Sequence, residues 1–394
     1  MILHKLLITD LILIALVSGC SWSSKTDEIR NASPLLTIEN QFKTIKLWSS
    51  SIKEEAGNIN SKLHPTSLNK TIYAANRYGI IKALYSTNGK EKWITNLSEN
   101  KNLFSKNIPA LLSGGLTVSN NHIYVGTERA KIFSINTMDG SVDWTQNVAG
   151  EVLSAPVISD YIVLVHTSNG MLQGLDQNNG SIKWSINLDT PTLSLRGQSE
   201  PTITLGTVVI GSDNGYISAI NINDGQIIWQ KKITRTHGAS AIDRLTDVDV
   251  SPLIVNGIIY SLAYNGNLTA LTLESGQILW QHDIGSAHDL ISDDHRIFLV
   301  DKNDCLIALT AEKGLKIWKQ SNLLYRKLTS PILYNGYLVV GDQQGYLYWI
   351  NTNTGQIVSQ QKIDNTGFVT KPVISNDNLL VLQSTTGKIS VITN

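Results

Sequence analysis

GYISAININDGQIIW, residues Gly215–Trp229, is the stretch that decides how the chain is read. Apolar residues at Ile217, Ala219 and Ile220 mark a strand, and Asp224-Gly225 marks a turn. A second short strand closes on Trp229. Asp-Gly between alternating apolar runs is a strong hairpin signal, because glycine accepts the positive φ that a tight turn needs.

The same hairpin recurs along the chain. A glycine stands four residues before a tryptophan at Gly89–Trp93, Gly140–Trp144, Gly180–Trp184, Gly225–Trp229, Gly276–Trp280 and Gly314–Trp318. Ten residues before the turn glycine lies another at Gly79, Gly170, Gly215 and Gly266, with Ala130 and Asp304 in that place in two copies. A seventh copy keeps Gly345 and Gly355 but has Ser359 where the tryptophan should be. A repeat of this length signals a solenoid, a propeller or an array. Each unit also opens on a proline (Pro156, Pro201, Pro252, Pro331, Pro372) followed by a short strand, a turn such as Asn256-Gly257 or Asn335-Gly336, and a second strand. Four short strands per unit, with no 3.6-residue periodicity, predict propeller blades.

The two chain ends set the blade count. The last copy runs from Pro372 to Asn394 and lacks its outermost strand, whereas Thr44–Trp48 matches such a strand without a preceding hairpin. The expected fold is therefore all-β: an eight-bladed β-propeller of four-stranded antiparallel blades. An N-terminal strand completes the last blade and closes the ring, which removes exposed repeat ends.

The charges exclude some partners. Lys plus Arg equals Asp plus Glu at 32 each, so no basic surface argues for nucleic acid. At the N-terminus, Lys5, the apolar run Leu11–Val17 and Val17-Ser18-Gly19-Cys20 resemble a bacterial lipoprotein signal. That resemblance implies cleavage after residue 19 and lipidation of Cys20. Ser21 is not the aspartate that retains lipoproteins at the inner membrane, which implies the periplasmic face of the outer membrane. An ordinary secretory signal with an incidental cysteine is the alternative. Residues 20–40 read as a flexible tether and 41–394 as the propeller. Cys305, in a strand, reads as a small core residue.

The repeats resemble the PQQ-type propeller repeat of quinoprotein dehydrogenases, which makes a redox enzyme the first hypothesis to test. Those enzymes carry a vicinal disulfide, a calcium-binding acidic cluster and a catalytic aspartate. This chain has no Cys-Cys pair, and the tryptophans have an adequate structural role between blades. Asp301-Lys302-Asn303-Asp304 lacks the rest of a calcium-loop ligand series and reads as a turn. The histidines form no metal-ligand spacing. The expectation is a non-enzymatic protein without cofactor or metal, although a site assembled from several blades, or a ligand in the central channel, stays open.

In a propeller, function falls on connectors that depart from the minimal repeat. Two neighbouring connectors are long: Trp184 to Pro201 and Trp229 to Pro252. The first carries Leu193-Ser194-Leu195-Arg196-Gly197 and the second Asp243-Arg244-Leu245-Thr246-Asp247-Val248-Asp249. Apolar anchors with orienting charge make a protein-binding patch. Composition alone leaves a second reading, in which Arg196 pairs internally with Asp247 or Asp249. With the lipoprotein signal and the eight blades, these segments resemble the BamB family of the outer-membrane β-barrel assembly machinery. The resemblance implies binding to the periplasmic domains of BamA through Leu193, Leu195, Arg196, Asp247 and Asp249, in support of outer-membrane protein assembly. Whether blade edges also hold nascent outer-membrane proteins by strand addition is left open.

Overall fold

Among the described residues, eight four-stranded antiparallel sheets follow one another along the chain. The computed structural model describes residues 31–52, 62–99, 107–234 and 245–394, with Ser33–Asn394 forming one unit. Blades 1 to 7 are continuous, at 66–96, 112–147, 157–187, 202–232, 253–282, 291–320 and 332–362. Blade 8 joins both ends of the propeller: Ile45–Ser51 pairs antiparallel with Lys388–Thr393, from Ile45 opposite Thr393 to Ser51 opposite Lys388. The expected closure is the observed one.

Blade 4 shows why the sequence takes this form. Its two middle strands, Thr207–Gly211 and Tyr216–Asn221, are almost wholly buried, because neighbouring blades cover both of their faces. The outer strand Ile227–Lys232 is largely exposed, and Trp229 lies in its middle rather than at its end. The turn before it also differs from a tight two-residue hairpin. Asn221 O accepts from Gly225 N at 3.0 Å, Asn221 N donates to Gln226 O at 2.8 Å, and only Gly225 takes a positive φ, +74°. The two-residue turns are the upstream ones. Asn256 and Gly257 both have positive φ, the geometry that matches the right-handed strand twist.

Tryptophan joins blade to blade. Trp184 of blade 3 lies on the turn of blade 4, where a Cβ on Gly225 would come within 2.6 Å of the indole. Its Nε1–H donates to Ile222 O at 2.9 Å. The indole thus sits in an apolar layer with Leu164, Val208, Ile210 and Ile220 from both blades. Trp48, Trp93, Trp144, Trp229, Trp280 and Trp318 donate in the same way to the next blade. Ser359 breaks the pattern for a physical reason. Its neighbour is blade 8, whose last two strands are the separate chain ends, so there is no turn glycine to receive an indole. Phe42 fills the space instead, 5.4 Å from Trp349 edge-on, and its carbonyl accepts from the Ser359 hydroxyl at 2.9 Å.

Residues 33–40, read as part of a tether, lie against the propeller: Ser33 N donates to Leu324 O just before blade 7, and Asn40 Nδ2 donates to Gln360 O within it. Cys20 and the signal region fall outside the described residues. Cys305 is a free, buried thiol whose pKa burial pushes up. Asp301 is a turn residue, its Oδ1 accepting from Asn303 N and Cys305 N.

Candidate functional site

Antiparallel strands alternate direction, so blade-to-blade connectors and second-to-third-strand turns emerge on one face of a blade. The connector at 188–201 and the described end of the next, 245–252, stand on that face side by side. They touch directly: Leu195 N–H donates to Asp247 Oδ1 at 2.8 Å. Gly197 leaves room for Asp249, since a Cβ there would meet Asp249 Oδ2 at 2.2 Å. Asp243 and Arg244 lie outside the described residues.

Of the expected partner-binding residues, three reach the surface. Leu193 is 53% exposed, Leu195 is half-buried and Arg196 is exposed. Asp247 and Asp249 do not reach it, at 0% and 7% exposure. This corrects the expectation that they meet a partner directly: burial makes them supports beneath the first connector. Arg196 departs from the reading in which it pairs internally with Asp247 or Asp249. It pairs with neither aspartate; Nη2 lies 2.9 Å from Glu128 and 3.3 Å from Glu151. Glu128 also takes two hydrogen bonds from Arg77, at 2.7 and 2.8 Å. Burial alone would raise the Glu128 pKa, but Arg77 and Arg196 outweigh it and hold the carboxylate below its ordinary range.

Beneath the connectors is a group that sequence reasoning missed. Asp213, from the Ser212–Gly215 turn of blade 4, lies with Asp247 and Asp249 so that one oxygen from each is within 4.8 Å of the others. Burial, with the charge of Asp247, pushes Asp213 up to about 6. Burial, with the charges of Asp213 and Asp247 opposed by Lys62, pushes Asp249 up to about 7. Burial also raises Asp247, against the hydrogen bond from Leu195. Aligning the repeats could have found Asp213. It stands two residues before Gly215, where Arg77 stands before Gly79 in blade 1 and Glu128 before Ala130 in blade 2, so this position repeatedly faces the connectors.

These shifts have a sign. A carboxyl raised in the fold keeps a proton that the unfolded chain has lost, so its contribution to stability is present in acid and lost as pH rises through the folded value. Half-buried His64 and buried His166, each lowered by burial to about 4, run the other way. A difference between variants isolates the aspartate. With divalent cations chelated, Asp249→Asn is expected to raise Tm by about 3 °C at pH 8 and to leave it near wild type at about pH 4, close to the unfolded carboxyl value. Thermal denaturation at the two pH values checks this.

A cavity of about 250 Å³ opens beside this group, lined by Lys62, His64, Arg196, Glu200, Asp289 and Lys371 among others. Lys371 Nζ lies 3.0 Å from Asp289 Oδ2, and both side chains keep some exposure to the cavity. Pairing with Lys371 and the nearby charge of Lys62 overcome burial and hold Asp289 well below the ordinary carboxylate range.

A family model described as outer membrane protein assembly factor BamB matches residues 77–320. The chain belongs to the BamB family. A curated relative of that name from Escherichia coli (strain K12) is 51% identical over 379 residues, covering 96% of each chain. One from Yersinia pestis is 50% identical over the same length and coverage. The crystal structure of BamB from Moraxella catarrhalis superposes with a TM-score of 0.78 at 25% identity, covering 89% of this chain and 100% of that one. A europium-containing methanol dehydrogenase matches at a TM-score of 0.70 and 15% identity, a likeness of fold alone.

Proposed function

We propose that this BamB-family chain is a non-enzymatic scaffold of the outer-membrane β-barrel assembly machinery. Lipidated Cys20 tethers it to the periplasmic face of the outer membrane, where it binds the periplasmic domains of BamA and supports barrel insertion. The observation that carries the reading is the 188–201 connector. It presents exposed Leu193 beside half-buried Leu195 and exposed Arg196, and Asp247 fixes its backbone from below. Such a loop is pre-organised, so docking costs little ordering entropy. The leucines bury apolar surface against the partner. Arg196, held by Glu128 and Glu151, keeps donors free to orient it.

Leu193→Ala with Leu195→Ala, and separately Arg196→Ala, are each expected to weaken binding to purified BamA periplasmic domains by about tenfold or more. Circular dichroism and Tm should stay close to wild type, since these side chains are not core. Wild-type affinity in both variants would defeat the site assignment.

A further inference from the structure

Asp213, Asp247 and Asp249 are 2%, 0% and 7% exposed, and each has a carboxylate oxygen without a hydrogen-bond partner among the described residues: Asp213 Oδ2, Asp247 Oδ2 and Asp249 Oδ1. Of their other oxygens, Asp247 Oδ1 accepts from Leu195 N–H and Asp249 Oδ2 packs on Gly197. Lys62 is near enough to act on Asp249, but it is an exposed side chain and makes no ion pair with the group. Buried carboxylates of this kind are neutralised by protons or coordinate a cation. An unsatisfied buried polar atom is uncommon, and three converging ones call for a ligand.

We infer that Asp213, Asp247 and Asp249 form a calcium site that pins the two long connectors to the second-to-third-strand turn of blade 4. All the donors are hard oxygens, with no imidazole or thiolate, which selects calcium or magnesium over zinc or copper. A set of three protein carboxylates favours calcium, because magnesium gives up its waters reluctantly and is usually held by only one or two carboxylates. The surrounding backbone is fixed: Thr246 Oγ1 donates to Asp213 O at 3.2 Å, and a Cβ on Gly211 would meet Val248 O at 2.3 Å. Water or backbone carbonyls would complete the shell. This site does not depend on which partner the connectors bind.

The test uses the full-length protein in detergent, stripped with a chelator and then titrated calorimetrically with calcium chloride at pH 7.5. One calcium per chain and a Tm rise of about 3 °C or more at 1 mM are expected. Asp213→Asn and Asp249→Asn should each abolish both effects while folding at least as stably as wild type in chelator. If either variant fails to fold, wild type at pH 5.5 decides, because protons must then compete the calcium off. No uptake at 1 mM calcium would overturn the proposal and leave protons as the neutralising species. So would an undiminished Tm rise in both variants, calcium binding unaffected at pH 5.5, or a response to magnesium alone.

Discussion

Arg326→Leu is expected to destabilise the protein by about 3–5 kcal/mol, because it leaves the Asp342 carboxylate charged and enclosed. Arg326 and Asp342 have side chains 2% and 0% exposed, with Nη2 2.7 Å from Oδ2. The same Oδ2 accepts from the Tyr348 hydroxyl at 2.8 Å, while Oδ1 caps the turn by accepting from Gln344 N and Tyr346 N. Arg326 further donates to Gln344 Oε1 and to Ser33 O, so the pair also ties the N-terminal segment to blade 7. The urea midpoint measures the loss. Adding Asp342→Asn to Arg326→Leu should recover a large part of it, since asparagine keeps the turn-capping oxygen and removes the charge. A shift below about 1 kcal/mol for Arg326→Leu alone would show that the carboxylate finds another partner.

Trp184→Ala is expected to cost about 3–5 kcal/mol, the range for emptying a large aromatic site in a core. The substitution empties the layer between blades 3 and 4 and leaves Ile222 O without its donor. Trp184→Phe keeps an aromatic ring and loses the hydrogen bond, so about 1 kcal/mol is expected from that bond. Gly225→Ala should approach the larger loss from the other side. It forces a Cβ to within 2.6 Å of the indole at a φ of +74°. Equal midpoints for Trp184→Ala and Trp184→Phe would contradict the wedge role of the indole.

The ring was legible in the sequence because its joints are local and repeated. Gly225 and Trp184 are far apart in the chain, but the pattern that sets them against each other recurs in blades 1 to 6. Even the departure at Ser359 was visible, although its cause needed the fold: blade 8 is made of two chain ends and offers no turn. The candidate site was less legible. LSLRG stood out for its paired leucines in an unusually long connector, yet the acidic residues of DRLTDVD read as surface charge when Asp247 and Asp249 are in fact buried. Exposure of an acidic residue cannot be read from its type when a second turn covers it. The covering turn brings Asp213, and the counter-charges of Arg196, Glu128 and Glu151, come from blade 2 and the connector after it, about 45 to 68 residues upstream. No local window contains them.

The proposed contact between the 188–201 connector and BamA can be probed in cells with a photo-activated crosslinking residue in place of Leu193, and the same residue in place of Leu205 for comparison. Leu205 is 95% exposed but sits in a first-to-second-strand turn of blade 4, on the opposite face. A BamA adduct is expected from position 193 and none from position 205. No adduct at 193, or equal adducts at both positions, would contradict the proposed contact.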